Sequence, residues 1–214
     1  MRAVQYIVIP NAISAELCDK AIELGDSLEL RYATTDGGKD SPTAHVRNSS
    51  VEWFIEDNFN SKEDKETMVE VYDAVDGCFN RALADWAMDD IQIVDRQPYQ
   101  YTNYRKGQYY DWHRDSREEP YDTTEYTGLQ RKFSLSVLLN PTDEYEGGNF
   151  QIETNWHHGP HENWNRVVTF DPNQYDIGQG TVIIFWSHLY HRVAPVMKGI
   201  RKSLVAWYLG PPFV

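Results

Sequence analysis

The apolar positions of this chain repeat with one period over its first ninety residues and with another thereafter. Val4 to Ile9 alternate and are rich in β-branched side chains, which predicts a strand ending at Pro10. Ile13, Ala15, Cys18 and Ile22 recur at helical spacing around Ser14, a residue suited to cap a helix, and Gly25 is the expected stop. Tyr32 to Ser50, rich in Gly, Asp, Thr and Ser, reads as a loop, and Val51 to Ile55 as a short strand. A second capping residue, Ser61, precedes Met68, Val71, Tyr72, Val75, Phe79, Ala82, Leu83 and Trp86. This stripe at three- and four-residue spacing predicts a long amphipathic helix with an acidic outer face.

Beyond residue 90 the period shortens. Ile91 to Val94, Tyr99 to Tyr104, Phe133 to Leu139, Asn149 to Thr154, Val167 to Phe170, Thr181 to Trp186 and Ser203 to Leu209 are β-branched, aromatic or alternating. Gly107, Asn140-Pro141, Gly147-Gly148, Asp171-Pro172 and Gly178 to Gly180 punctuate them as turns. Many short strands separated by turns predict a sandwich or barrel. With no internal repeat or low-complexity linker, residues 1–214 are expected to form one domain, with 1–90 as helical support and 91–214 as the β core.

Composition narrows the function classes. A chain of 214 residues with 41% hydrophobic and 25% charged residues has the make-up of a globular protein. Its net charge of -13 opposes a phosphate backbone or an anionic membrane, so neither nucleic acid nor membrane is expected as a partner. No apolar run approaches the roughly 18 residues a membrane helix needs. Two cysteines, Cys18 and Cys78, both in predicted helices, exclude a disulfide scaffold and a thiolate metal site; they suit a reducing compartment, and the expected location is the cytoplasm. The charge is uneven: residues 14–95 hold 20 acids and 7 bases, whereas 96–214 hold 13 acids and 12 bases, so the β half is nearly neutral. Aromatic residues make up 14% of the chain, and Tyr99, Tyr101, Tyr104, Tyr109, Tyr110 and Trp112 concentrate them just before His113.

His113 and Asp115 lie two apart, so in an extended segment both project to one side and can meet one ion. His191 follows 78 residues later at the end of a strand-like run, and Arg201 ten residues beyond it, across a turn around Pro195 to Gly199. That spacing suits two adjacent antiparallel strands. Two neutral imidazoles and one carboxylate form the facial triad of non-haem Fe(II) sites, which leaves positions open for chemistry. The planar fork of Arg201 suits a carboxylate, and Ser203, two residues on, shares its face and can donate a second hydrogen bond. His188 is an odd number of residues from His191 and is expected on the opposite face. His157, His158 and His161, with Trp156 and Trp164, read as a solvated loop tip, and Asp111 as an exposed or supporting residue.

These residues resemble the Fe(II)/2-oxoglutarate-dependent dioxygenases, in particular their prolyl 4-hydroxylase-like branch. His113-Arg114-Asp115 is similar to the family's His-x-Asp, His191 to its distal His, and Arg201 to the residue binding the 5-carboxylate of 2-oxoglutarate. Tyr104, Gly107 and Tyr110, the run Tyr145-Glu146-Gly147-Gly148, and Val193, Pro195, Val196 and Gly199 extend the likeness over most of the chain. The resemblance implies a mainly β fold: a double-stranded β-helix, jelly-roll and cupin-like, with N-terminal helices packed on one sheet. It further implies Fe(II) chelated by 2-oxoglutarate, O2 as co-substrate, ascorbate as reductant, and oxidative decarboxylation to succinate and CO2 coupled to hydroxylation of an unactivated C–H. A prolyl residue of a peptide or protein is the leading substrate. By the same likeness Tyr104 lines the cofactor pocket, and Arg47 with Asn48 to Trp53 edges the substrate groove. Val137 stands near the place where some relatives carry a cofactor-contacting Tyr, and Gln151 to Gln179 is longer than usual.

Other readings compete. A nucleic-acid demethylase on the same scaffold is opposed by the net charge and by the absence of a second Arg after Arg201. A halogenase would need Asp115 replaced. A metal- or 2-oxoglutarate-sensing module without turnover, and a dioxygenase acting on another residue or a small molecule, remain alternatives.

Overall fold

The computed structural model describes residues 5–33, 46–86, 91–122, 125–157 and 163–212. In chain order its elements are β1 (Tyr6–Ile9), α1 (Ala15–Asp26), β2 (Arg31–Tyr32), β3 (Arg47–Asn48), β4 (Ser50–Phe54), α2 (Lys62–Asp85), β5 (Asp95–Arg96), β6 (Tyr99–Arg105), β7 (Tyr109–His113), β8 (Gln130–Leu138), β9 (Tyr145–Gly147), β10 (Phe150–His157), β11 (Asn163–Phe170), β12 (Val182–Trp186), β13 (His191–Val193) and β14 (Val196–Gly210). Both helices begin where a serine accepts an orphan backbone N–H: Ser14 from Leu17 at 3.2 Å and Ser61 from Asp64 at 2.9 Å. Gly25 does not stop α1, which continues to Asp26. A Cβ at Gly25 would lie 2.5 Å from the Tyr101 ring, so the glycine is there to let helix and sheet approach.

The strands form two antiparallel sheets. The larger has nine strands, with the path β1-β12-β8-β14-β6-β4-β2 and with β5 and β9 paired to β14. The smaller has the order β11-β10-β13-β7-β3. From β6 onward the chain crosses repeatedly between the sheets, giving the jelly-roll arrangement of a double-stranded β-helix. Side-chain parity sorts the core into two layers. Phe133, Leu135, Val137, Val182, Ile184, Leu204 and Ala206 face the helices and meet Leu17, Cys18, Val71, Val75, Cys78 and Phe79. Ile183, Phe185, Tyr104, Phe150, Ile152, Phe170 and Val193 fill the space between the sheets. Burying one such side chain contributes about 1.5–3 kcal/mol, so each layer anchors its face of the large sheet firmly. Among the described residues no helix is long and apolar enough to cross a membrane.

Several expectations are corrected. Residues before 90 supply strands as well as helices: β1, β2 and β4 widen the large sheet and β3 the small one. Arg47–Asn48, expected in a loop, is strand β3, paired to β7; positions 34–45 lie outside the described residues. Ile91 and Ile93 pack against the helical core as their alternation suggests, yet strand pairing starts only at Asp95. The chain between His191 and Arg201 does not turn within one sheet. His191 opens β13 in the small sheet, and by Val196 the chain has entered β14 of the large sheet.

Candidate active site

His113 ends β7 and His191 begins β13, and the two residues are direct partners in the ladder between those strands. A register shift between His191 and Val193 marks a bulge, a device that re-aims side chains. Each imidazole is fixed through its own backbone neighbourhood: Nδ1 of His113 is 2.7 Å from the Asp111 carbonyl, and Nδ1 of His191 is 3.0 Å from the Leu189 carbonyl. A carbonyl can only accept, so Nδ1 carries a proton in each ring and Nε2 is the nitrogen turned to the cleft. Asp115 Oδ2 is 3.3 Å from His191 Nε2, and its Oδ1 is 3.6 Å from His113 Nε2. The three ligand atoms lie within 4.8 Å of one another.

The electrostatics suit a cation. Burial, aided by the neighbouring His191, pushes the His113 pKa down to about 3, so the ring is neutral at physiological pH and free to ligate. Burial alone would raise the Asp115 carboxyl; His191 and His113 outweigh it and hold it well below the usual carboxylate range. Two imidazole nitrogens and one ionised carboxylate make a donor set suited to Fe(II), which would leave three positions for other ligands.

Across the cleft, on the opposite sheet, Arg201 is 1% exposed. Nη1 donates to Ser203 Oγ at 3.0 Å, the guanidinium carbon is 5.6 Å from the Tyr104 ring, and Nη2 is buried without a partner. Among the described residues no carboxylate lies within ion-pair range. A buried guanidinium with an idle N–H and no counter-charge is costly unless an anion completes it. The residues thus fit a carboxylate guest that also reaches the metal. Tyr104 and Ser203 line the cleft with Arg201, and burial raises the Tyr104 phenol despite nearby Arg47 and Arg201.

Other expectations are redistributed. Val137 faces the helical core, and Ser136 is the neighbour that lines the cleft. Of the six clustered aromatics only Tyr104 and Tyr110 line it; Tyr99 and Tyr101 point to the helices. Tyr110 stacks on His113 with centroids 3.4 Å apart, and Arg47 lies 4.6 Å above Tyr110 while donating to Gln100 Oε1 at 2.6 Å. His188 is exposed, and Asp111 contributes its carbonyl rather than its carboxylate. The side chains of His157, His158 and His161 lie outside the described residues. Sequence reasoning missed Arg131, which covers Trp207 at 4.0 Å with Nη1 3.9 Å from Asp115, and it missed Ser134 and Ser187 behind Asp115. Tyr145, which meets the Arg201 guanidinium, was cited only as part of a motif.

A β-sandwich that brings two histidines and one carboxylate together as candidate ligands of a single ion, opposite a buried arginine, has the site of a class of metal-dependent oxygenase. The family model of the 2OG-Fe(II) oxygenase superfamily matches residues 99–209, more than half of the chain, and the chain belongs to that superfamily. Curated relatives include a PKHD-type hydroxylase of Idiomarina loihiensis, 29% identical over 104 residues, covering 49% of this chain and 38% of the relative. A PKHD-type hydroxylase of Xylella fastidiosa is 32% identical over 79 residues, covering 37% of this chain and 28% of the relative. The aligned stretches thus span well under half the length of these curated relatives. The fold is also that of a viral collagen prolyl hydroxylase from Paramecium bursaria Chlorella virus-1 (TM-score 0.61, 21% identity, 97% of each chain). A Trichoplax adhaerens prolyl hydroxylase, solved with a hypoxia inducible factor peptide, has a TM-score of 0.66 at 19% identity, covering 95% of this chain and 83% of that one.

Proposed function

We propose that this protein is a hydroxylase that uses Fe(II), 2-oxoglutarate and O2 to hydroxylate a prolyl residue in a peptide or protein, releasing succinate and CO2. The observation that carries the reading is Arg201: a fully buried cation with an idle N–H, set opposite a vicinal pair of imidazoles and a carboxylate. In it, His113, Asp115 and His191 hold the metal, Arg201 and Ser203 anchor the distal carboxylate of 2-oxoglutarate, and Tyr104 walls the cofactor. Fe(II) with 2-oxoglutarate supplies the oxygen activation when bound. The chain's own residues orient that pair between the sheets, keep the His113 imidazole neutral, and exclude water with Phe150, Phe185 and Val193. The peptide substrate is supported by the prolyl hydroxylases that share the fold.

Ascorbate as reductant and a cytoplasmic location belong to the same proposal; the latter is supported by Cys18 and Cys78, both buried as free thiols. The test is incubation with Fe(II), ascorbate, 2-oxoglutarate and a panel of proline-containing peptides. Succinate together with a gain of one oxygen on a peptide is the expected result. Tight 2-oxoglutarate binding with no succinate on any peptide would favour a sensing module instead.

A further inference from the structure

Asp115 is held at its backbone by one serine and at its carboxylate by another. The carbonyl of Ser187, just past β12, accepts the backbone N–H groups of Asp115 and Ser116, each at 2.9 Å. The hydroxyl of Ser187 lies 2.9 Å from that of Ser134 on β8, and Ser134 Oγ donates to Asp115 Oδ2 at 2.7 Å. Both serines are 0% exposed. Proton counting sets the direction of this chain. An ionised carboxylate has no proton to give and each hydroxyl has one. Ser134 gives its proton to Asp115, so Ser187 must donate to Ser134. Two hydroxyl dipoles aligned head to tail in a dry interior polarise each other and strengthen the last link.

We propose that Ser134 and Ser187 are positioning residues that hold Asp115 as a single-oxygen ligand of the metal. Ser134 tethers Oδ2, so the carboxylate cannot swing freely about its Cβ–Cγ bond to present both oxygens to the ion. A carboxylate that offers one oxygen would leave more of the metal's positions to the keto acid and O2 than one that offers two. The proposal rests on the reading of His113, Asp115 and His191 as metal ligands. It adds that the geometry of the third ligand is set from β8 and the end of β12.

The test is titration of the metal-free protein with Co(II), followed by calorimetry and by the visible absorption of the bound ion. Wild type should bind one Co(II). Ser134→Ala should bind it roughly 10- to 100-fold more weakly, the range for loss of a hydrogen bond to a metal ligand, and shift the absorption bands. Ser187→Ala keeps the carbonyl and should lose only a few-fold. Ser134→Thr, which retains a hydroxyl, should restore the affinity and spectrum lost in Ser134→Ala. Equal affinity and identical spectra for wild type and Ser134→Ala overturn the proposal, as does Ser134→Thr behaving like Ser134→Ala. Failure of wild type to bind Co(II), or its retention by His113→Ala, would instead strike the metal-site reading beneath it. Circular dichroism of each variant separates misfolding from ligand loss, and Ser187→Ala carries the test if Ser134→Ala does not fold.

Discussion

Arg201 spends one terminal nitrogen on Ser203, at 3.0 Å, and leaves the other buried without a partner. Such a side chain is half of a charge-assisted bidentate contact. Arg201→Ala should therefore weaken 2-oxoglutarate binding by about 10- to 150-fold, since hydrogen bonds to charged groups contribute about 1.5–3 kcal/mol. Arg201→Lys should recover little of this because its ammonium is not a fork. Calorimetry with 2-oxoglutarate checks the point; unchanged affinity in Arg201→Ala would remove the anchor.

The metal ligands make a sharper expectation. His113→Ala and Asp115→Ala should each abolish divalent-cation binding and succinate formation while leaving the far-ultraviolet spectrum intact, because both side chains face the cleft rather than either core layer. Turnover of 2-oxoglutarate by either variant at the wild-type rate counts against the site.

Acid should loosen the metal-free protein through His113. Its folded pKa is pushed down to about 3, against 6.5 for the ordinary side chain, chiefly by burial. Between those values the unfolded chain binds a proton that the folded chain refuses, so stability falls as pH drops below 6.5. The slope from this one group is at most about 1.4 kcal/mol per pH unit. Asp115, held down in the folded state, acts in the same direction at still lower pH. Urea midpoints of the metal-free protein between pH 7.5 and 5 should decline, and His113→Asn should decline less; parallel curves would mean that His113 is not the source.

Gly148 bears on the anchor rather than on the metal. Its φ is +66°, and a Cβ there would stand 3.0 Å from Arg201 Cδ and 3.0 Å from Val196 Cγ2. Gly148→Ala should therefore displace Arg201 and weaken 2-oxoglutarate binding, by roughly tenfold for a strain of about 1–2 kcal/mol. Co(II) affinity should be unaffected. Equal loss of both ligands would indicate a general collapse of the sandwich.

A latch between α1 and the large sheet gives a stability test. Asp26 accepts from Tyr101 Oη at 2.7 Å and pairs with Lys202 Nζ. Burial raises its pKa, but Lys202 and Tyr101 outweigh that and the net shift is downward, so its contribution is present above the ordinary carboxylate pKa and lost as pH falls through the folded value. Asp26→Asn should lower the thermal midpoint at pH 7 and narrow the gap from wild type in acid; a constant gap would show that the charge is irrelevant.

What was legible in the sequence divides along physical lines. His113, Asp115, His191 and Arg201 stand out because ligand chemistry restricts residue type and strand parity restricts spacing. The caps Ser14 and Ser61 stand out for the same local reason. Parity read without a sheet assignment misleads, however. Val137 and the pair Tyr99 and Tyr101 fall on the helix side of their strands, and periodicity does not say which side holds the cleft. Nor does it reveal that the chain changes sheets between His191 and Arg201, since a crossing and a hairpin turn share the same Pro and Gly signals. Ser134 and Ser187 gave no motif. The one available hint was the placing of hydroxyls at alternate positions, Ser134 and Ser136, in the otherwise apolar run Phe133 to Leu139.

The split of the site between the sheets has a consequence for how the molecule moves. Two ligands sit on the five-stranded sheet, the third is gripped from β8 and the end of β12, and the guanidinium belongs to β14. An ion bound by all three ligands stitches one sheet to the other, and a dicarboxylate reaching Arg201 adds a second stitch. Backbone amides of β7 and β13 should then exchange with solvent in step with those of β8 and β12 when metal is bound, and independently of them once a chelator has removed it.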